Sequence, residues 1–246
     1  MNLLLFNEKE ILGNNTFSIS GRRAEHLIRV LKAKEGQKIR AGMIDRNIGD
    51  AQIINIKGDT IQLTWQERQS PPPRLPCILV LALPRPKMLN RILQTAASMG
   101  VKEIHLINTW KVDKSYWKSP RLDQQKIRSN LLIGLEQATD CILPKVYLHR
   151  LFKPFAEDRL PGLCTNRCGL VAHPYAEKHC PINLQGSSTL SMGPEGGFTE
   201  YEIELLQRAG MTAVNIGPRI LRVETAVPAV LGRLHPEPRH RTNGPG

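Results

Sequence analysis

The stretch GPEGGFTEYEIELLQRAG, residues 193–210, begins with a glycine-rich turn that runs directly into a predicted helix. Its second half predicts a helix, because Thr199 and Glu202 have the spacing of a capping box and apolar residues follow at helical spacing. Gly210 is a typical helix terminator. The first half, GPEGG, has more glycine than a simple turn requires. Glycine permits a positive φ and lets a ligand approach the backbone, so GPEGG is either a tight strand-to-helix turn or a ligand-binding loop.

Two further loops resemble GPEGG in their position. IGPRILRVETA, residues 216–226, lies between a predicted strand and a predicted helix, and VAHP, residues 171–174, ends another predicted strand. Ligands bind beyond the carboxyl ends of strands in open α/β sheets, so we expect these three loops to wall one pocket. The chain contains neither G-x-x-x-x-G-K-[ST] nor G-x-G-x-x-G, which disfavours an ATPase or a nicotinamide enzyme.

The sequence pattern changes along the chain. Short alternating stretches separated by Gly-Asp turns predict a β-rich module over residues 1–73, and the proline-rich SPPPRLP, residues 70–76, indicates a linker. Residues 74–234 alternate apolar strands with amphipathic helices, which predicts an α/β domain with a largely parallel sheet. Residues 235–246 are rich in Pro, Gly and Arg and are expected to be a disordered tail.

Composition limits the class of protein. The chain of 246 residues is 41% hydrophobic and 23% charged, as is typical of a globular protein, and its 34 Lys and Arg exceed its 22 Asp and Glu to give a net charge of +12. That excess indicates a polyanionic partner. We find no signal-peptide pattern in residues 1–13 and no apolar run of transmembrane length, so we expect a cytoplasmic protein without a membrane partner.

The five cysteines do not predict a disulfide framework, because their number is odd and no secretion signal accompanies them. Three of them lie in CTNRCGLVAHPYAEKHC, residues 164–180, together with His173 and His179. The spacing of these residues is irregular for a zinc site, and CGLVAH is typical of a buried strand. We therefore expect no metal.

One segment combines positive charge with aromatic rings. Residues 85–128 contain ten Lys or Arg and three acidic residues, and the segment includes WKVDKSYWKSPR, residues 110–121. Lysine and arginine bind phosphates and exposed aromatic rings stack on unpaired bases, which predicts contact with RNA. The alternative is a solvated loop whose aromatic side chains fold back onto the core.

The pair GPEGGFT..E and IGPRILRVETA resembles the RsmE family, the bacterial 16S rRNA (uracil-N3)-methyltransferases of the SPOUT class. LALP, MGVKEI and LEQA agree with the same family. The resemblance implies an α/β fold: a SPOUT-type knotted parallel sheet with helices on both faces over residues 74–234. A PUA-like β-barrel for RNA binding would precede it over residues 1–73. It also implies S-adenosylmethionine as the methyl donor, 16S rRNA or the small ribosomal subunit as partner, and a homodimer.

The resemblance assigns roles residue by residue. Arg222 and Glu195 are the candidate catalytic residues, while Glu224 either joins them or only stabilises the last helix. The cofactor-binding set is Ala172, His173, Pro174, Met192, Gly193, Pro194, Glu195, Gly196, Gly197, Ile216, Gly217, Ile220, Leu221, Arg222, Glu224 and Thr225. Separately from the resemblance, the expected RNA-binding set is Arg22, Arg23, Arg29, Lys111, Lys114, Tyr116, Trp117, Lys118 and Arg121.

Three positions and the stretch KSYWKSPR, residues 114–121, depart from the family pattern. Thr95 and Ser98 stand where the family usually has Lys and Glu, and Asp140 stands where it usually has Arg. Two alternatives therefore stay open: a SPOUT methyltransferase for another RNA site or a ribose hydroxyl, and a non-catalytic RNA-binding assembly factor. For the dimer, the last predicted helix has more apolar surface than one sheet face needs, so we expect a second subunit to cover the remainder.

Overall fold

The computed structural model describes residues 2–236, which form two compact units. The first contains residues up to Arg74 together with Leu93–Lys102 and Asp123–Pro144, and the second contains the rest. Most of the predicted tail lies outside the described residues. For His235, however, the prediction of disorder is wrong, because this residue is buried and its Nε2 atom is 2.8 Å from Ser188 Oγ.

The first unit contains a six-stranded sheet in the order β1-β4-β5-β6-β3-β2. Only the β1–β4 pair among these neighbours is parallel, and the other pairs are antiparallel. Its core includes the stacked rings of Phe6 and Phe17, whose centroids are 3.9 Å apart. The strands are β1 Leu4–Phe6, β2 Ile11–Gly13, β3 Thr16–Ile19, β4 Lys38–Met43, β5 Ile48–Lys57 and β6 Thr60–Gln69.

Two helices accompany this sheet. The first helix is α1, Arg22–Glu25, which continues as a π-helical turn over His26–Val30. The longer α3, Gln124–Ala138, starts at Asp123, whose side chain accepts hydrogen bonds from two backbone N–H groups. Beyond its end, the buried carboxylate of Asp140 accepts a hydrogen bond from Lys102 Nζ. Asp140, one of the residues that differ from the family pattern, therefore has a cationic partner within this unit.

The second unit contains the predicted parallel sheet, which has six strands in the order β12-β10-β11-β7-β8-β9. Every residue of its β7 strand is buried, as expected for a continuous apolar run in a parallel sheet. The strands are β7 Cys77–Ala82, β8 Glu103–Ile107, β9 Lys145–His149, β10 Cys168–Ala172, β11 Ser188–Met192 and β12 Met211–Val214.

The remaining helices follow the predicted alternation, with one addition. α2, Pro86–Ser98, has residues in both units. The addition is a helical segment made of α4, Phe152–Pro154, a π-helical turn and α5, Leu160–Cys164. α6, Glu200–Arg208, starts with both hydrogen bonds of the predicted capping box, and α7, Val223–Leu234, is the last helix.

The apolar face of α7 corrects the structural reason given for a dimer. Val227, Val230, Leu231 and Leu234 are each 0% exposed within the single chain. The expectation that a second subunit must cover this face is therefore wrong. A charged residue at Val230 or Leu231 is expected to unfold the protein rather than to yield monomers. The homodimer and the trefoil knot stay predictions that rest on the family resemblance.

Candidate functional site

The carboxyl edge of the parallel sheet carries a cavity of about 280 Å³, which we name the glycine-loop cavity. Its walls are the loops that follow β10, β11 and β12, three neighbouring strands, and the start of α7. The three loops singled out in the sequence thus meet at one place. The lining residues are Ala172, His173, Pro174, Met192, Gly193, Pro194, Glu195, Gly197, Phe198, Val214, Asn215, Ile216, Gly217, Arg219, Ile220, Leu221, Arg222, Val223, Ala226 and Val230.

Most of the cofactor-binding set lies in this lining, but three members do not. Gly196, Glu224 and Thr225 are absent from the walls of the cavity. Seven lining residues were not in the predicted cofactor-binding set. Most of them are apolar residues of β12 and α7, where the sequence pattern predicts only core positions. They are Phe198, Val214, Asn215, Arg219, Val223, Ala226 and Val230.

The glycines of the GPEGG turn have different structural reasons. Gly197 has a φ of +70°, and its N–H donates a hydrogen bond of 2.8 Å to the carbonyl of Pro194, so it closes the turn. At Gly193 a Cβ would lie 3.1 Å from the ring of Phe198, so a side chain there would press on a buried aromatic residue. At Gly196 a Cβ would meet only the flexible side chain of Lys111. Of the three glycines, Gly196 is therefore the one for which neither backbone conformation nor packing requires glycine.

Asn215 joins two of the loops. Its Oδ1 atom is 2.9 Å from His179 Nδ1 and accepts a hydrogen bond of 3.1 Å from the N–H of Gly217. Its Nδ2 atom donates to the carbonyl of Ala176. Gly217 itself has a φ of +139°, a conformation that favours glycine. The side chain of Asn215 therefore holds the loop after β10 against the loop after β12.

A second cavity of about 820 Å³ lies along the same edge, beyond β11, β7 and β8, and we name it the basic cavity. It shares Glu195 and Arg222 with the glycine-loop cavity. Four of its nine lining residues are Lys or Arg and two are Glu, so its walls are cationic on balance. The lining residues are Arg85, Pro86, Lys87, Met88, Tyr116, Arg121, Glu195, Arg222 and Glu224.

The two shared residues are held differently. Glu195 Oε1 accepts a hydrogen bond of 3.3 Å from the backbone N–H of Arg85, and the guanidinium Nε of Arg85 lies 3.9 Å from the same oxygen. Arg222 is the N-cap residue of α7, and its side chain is exposed. The guanidinium of Arg222 is thus available to a ligand. Glu224, in the first turn of α7, lines the basic cavity and also suits the positive end of the helix dipole, so both of its interpretations stand.

The segment of residues 110–121, which we name the basic segment, is attached to the GPEGG turn. Lys111 Nζ donates a hydrogen bond of 2.8 Å to the carbonyl of Gly196. The backbone N–H of Trp110 donates a hydrogen bond of 2.7 Å to Glu202 Oε1, and Glu202 is 3% exposed. The same carboxylate accepts from the N–H of Thr199 in the capping box. The start of α6 and the basic segment therefore share one buried anchor.

The structure corrects the prediction for Trp117. This side chain is 8% exposed, its Nε1–H donates a hydrogen bond of 2.8 Å to Asn108 Oδ1, and the Arg150 guanidinium lies 5.3 Å from its ring centroid. No face of the ring is free for an RNA base, because the aromatic residue folds back onto the core. Trp110, by contrast, is 85% exposed. Lys114 and Lys118 are also exposed.

In the first unit the arginines of the RNA-binding set are not equivalent. Arg23 is largely buried, donates to the carbonyl of Leu5 and pairs with Glu10, so it has a structural role. Arg22 pairs with the buried Glu136 at 2.6 Å. Arg29, which is 77% exposed, pairs only with the exposed Glu25 one helical turn away and is the one of the three with the most freedom to reach RNA.

The cysteine-rich stretch does not gather metal ligands. Within residues 2–236 no group of three or more His, Cys, Asp or Glu lies close enough together to hold a metal ion. Burial raises the pKa of the Cys164, Cys168 and Cys180 thiols above their ordinary value, which disfavours thiolates. Across the same described residues, every helix falls short of the length and apolarity needed to cross a membrane.

Comparison with known proteins identifies the family. The RNA methyltransferase domain matches residues 71–235, and the RNA methyltransferase PUA domain matches residues 19–64. Together with the parallel sheet and its edge cavities, these matches define a SPOUT-class RNA methyltransferase with an N-terminal PUA-like domain. More narrowly, the chain belongs to the ribosomal RNA small subunit methyltransferase E family, the RsmE family.

Several relatives are similar over almost their whole length. The ribosomal RNA small subunit methyltransferase E of Treponema pallidum is 31% identical over 96% of this chain and 92% of its own. The methyltransferase E 1 of Borreliella burgdorferi is 27% identical, with 92% and 94% covered. Among solved structures, the Neisseria gonorrhoeae enzyme of the same name, bound to S-adenosyl methionine, superimposes with a TM-score of 0.76 at 22% identity, with 94% and 95% covered.

Proposed function

We propose that this protein transfers a methyl group from S-adenosylmethionine to N3 of a uridine in 16S rRNA. Membership of the family supports the reaction class. The observation that carries the proposal is the pair of neighbouring cavities, which share Glu195 and Arg222 along one edge of the sheet. A methyl transfer needs a donor and an acceptor site in contact, and this arrangement supplies both.

The residues of the glycine-loop cavity suit the cofactor. The loops after β11 and β12 each contain a glycine with positive φ, at Gly197 and Gly217, where the backbone is open to a ligand. Ile220 is 68% exposed although it lines the cavity, so a bound adenosine or methionine moiety would cover apolar surface that water now contacts. When bound, S-adenosylmethionine supplies a methyl group on a positively charged sulfur atom.

The basic cavity suits the acceptor nucleotide. N3 of uracil lies on the Watson–Crick edge, so the base must be unpaired or flipped before N3 is accessible. Tyr116 offers an aromatic face in this cavity, and Arg85, Lys87 and Arg121 offer positive charge for phosphate groups. The acceptor base would thus reach the shared wall from the side opposite the cofactor.

The uracil N3–H group must lose its proton before N3 can accept the methyl group. The negative charge then spreads to the neighbouring carbonyl oxygens, and the guanidinium of Arg222 in the shared wall stabilises it. Two carboxylates in the basic cavity can accept the proton: Glu195, which is held by the N–H of Arg85, and Glu224.

The proposal also includes four features that the family resemblance implies or the sequence predicts: a homodimer, a trefoil knot, a domain boundary at residue 73 and a cytoplasmic location.

Cofactor binding and product identity test the proposal separately. Calorimetry should show that the purified protein binds S-adenosylmethionine, and 16S rRNA from a strain that lacks the gene should lack one 3-methyluridine that the gene restores. Binding of the cofactor with a missing 2′-O-methyl nucleoside instead would indicate another SPOUT activity. Absence of cofactor binding would support a non-catalytic assembly factor and refute the proposal.

A further inference from the structure

Trp110 is an unusual surface residue. Its side chain is 85% exposed, the most exposed of the large apolar side chains in the described part of the chain. An indole in water leaves a large apolar area unburied, and exposed aromatic residues of this kind are enriched where a protein binds a partner. The chain has three tryptophans. The other two are Trp117, which is buried, and Trp65, which is partly buried in the first unit.

The backbone that carries this ring is fixed. The N–H of Trp110 donates to the buried carboxylate of Glu202, and the next residue, Lys111, donates through Nζ to the carbonyl of Gly196 in the GPEGG turn. The side chain is therefore free while the backbone that carries it is held by a buried carboxylate. Only the side-chain torsions of Trp110, and not its backbone, then have to be ordered when a ligand stacks on the ring.

The charge of the segment that carries Trp110 selects the kind of partner. Lys114 and Lys118 in this segment are exposed, and its Arg121 lines the basic cavity together with Arg85. An exposed indole in a segment with exposed lysines suits a nucleic-acid strand, whose bases stack on aromatic rings while its phosphates meet lysine and arginine. Trp110 does not line the basic cavity itself.

We propose that Trp110 is the stacking platform for an unpaired RNA base that neighbours the target uridine. The inference rests on the proposed function for the identity of the RNA. It adds a residue outside the cofactor and acceptor cavities that positions the strand, so that the target base alone enters the basic cavity. Phe can supply a stacking face in place of Trp, whereas Ala cannot.

The test uses the full-length protein and a short unstructured RNA oligonucleotide that contains uridines. RNA should quench the tryptophan emission of the wild-type protein, and W110F should lose most of that quenching because Trp117 is buried and Trp65 is partly buried. W110A should bind the RNA about tenfold more weakly, whereas W110F should stay within about twofold of the wild type. Y201A, which removes a ring that is 55% exposed on α6, is the matched control and should bind normally.

A failure of the Trp110 proposal can be distinguished from a failure of the proposed function. If wild-type protein methylates 16S rRNA and W110A binds RNA as tightly as wild type, the platform is refuted and the proposed function stands. If RNA quenches Trp110 and W110A weakens binding while no methyl group is transferred, the platform stands and the proposed function fails. If the emission of Trp110 in the free protein is shielded from a soluble quencher and depends on protein concentration, a second copy of the chain covers the ring and the inference is refuted.

Discussion

Glu195 and Arg222 stand in the wall that the glycine-loop cavity shares with the basic cavity. They come from different loops, since Glu195 belongs to the GPEGG turn after β11 and Arg222 immediately precedes α7. Opposite charges thus lie at the place where donor and acceptor would meet. This position makes the pair the centre of the proposed chemistry. The residues that line only one of the two cavities allow each cavity to be tested by mutation on its own.

Filling the glycine-loop cavity should abolish cofactor binding without disturbing the fold. Ala226 lines this cavity from α7 and is partly exposed, so A226F would place a ring in the space proposed for the cofactor. We expect calorimetry to detect no binding of S-adenosylhomocysteine by A226F. A229F, on the same helix but facing solvent, is the matched control. Equal binding by both variants would exclude this cavity as the cofactor site.

Removing the Arg222 guanidinium should affect turnover. Its side chain is exposed, so R222A should fold normally, and the loss of charge stabilisation should reduce kcat by about a hundredfold. R222K should retain part of the activity because it keeps the charge. R208A, an exposed arginine on α6, serves as control. Single-turnover kinetics with saturating cofactor would measure the effect, and an unchanged rate for R222A would remove Arg222 from the mechanism.

The basic segment should contribute phosphate contacts. Replacing Lys114, Lys118 and Arg121 by Ala should lower the salt dependence of RNA binding, by about 2 in the slope of log K against log salt if all three contact phosphates. Lys111 is left intact because it holds the GPEGG turn. A triple variant at exposed Lys145, Lys153 and Arg208 controls for net charge. If both variants show the same slope, the segment is only a solvated surface.

The buried ion pair Lys102–Asp140 should matter for stability. Its side chains are 12% and 4% exposed, so D140A leaves an unpaired buried ammonium and should cost about 3–5 kcal/mol in the free energy of unfolding. D50A breaks the exposed pair with Arg68 and should cost less than about 1 kcal/mol. Urea denaturation measures both values, and similar losses for the two variants would contradict the assignment.

Acid should destabilise the protein partly through His149. Burial, with His105 and Arg159 nearby, lowers its pKa to about 4, so the unfolded chain takes up this proton first as the pH falls below 6.5. Stability should therefore decrease as the pH falls from about 6.5 to about 4. Nδ1 of the buried His105 faces His149, and Glu103 accepts from the other ring nitrogen. H149Q should lose less stability over this range than wild type or H179Q in urea denaturation, and equal losses would refute the assignment.

Some features of the site could be predicted from the sequence because they depend only on residues that are close together in the chain. The capping box of Thr199 and Glu202 spans four residues, and both of its hydrogen bonds are present. The parallel sheet was also predictable, because its strands are short apolar runs separated by helices. The β9 strand could not be predicted in this way, because it lies at the edge of the sheet and has no continuous buried run.

The remaining features depend on residues that are distant in sequence. Asn215 gained its role only when the loops after β10 and β12 came together. Trp117 was assigned to RNA because its neighbours are basic, yet Asn108 and Arg150 hold it in the core. Gly196 was expected to border the cofactor, whereas its neighbour is Lys111. No periodicity encodes such contacts.

The most direct test combines purified protein, S-adenosylmethionine and small ribosomal subunits whose 16S rRNA lacks 3-methyluridine, followed by mass spectrometry of the nucleosides. We predict one 3-methyluridine per 16S rRNA with wild-type protein and A229F, and none with A226F. Formation of a 2′-O-methyl nucleoside, or no methylation by wild-type protein that binds both cofactor and RNA, would contradict the account.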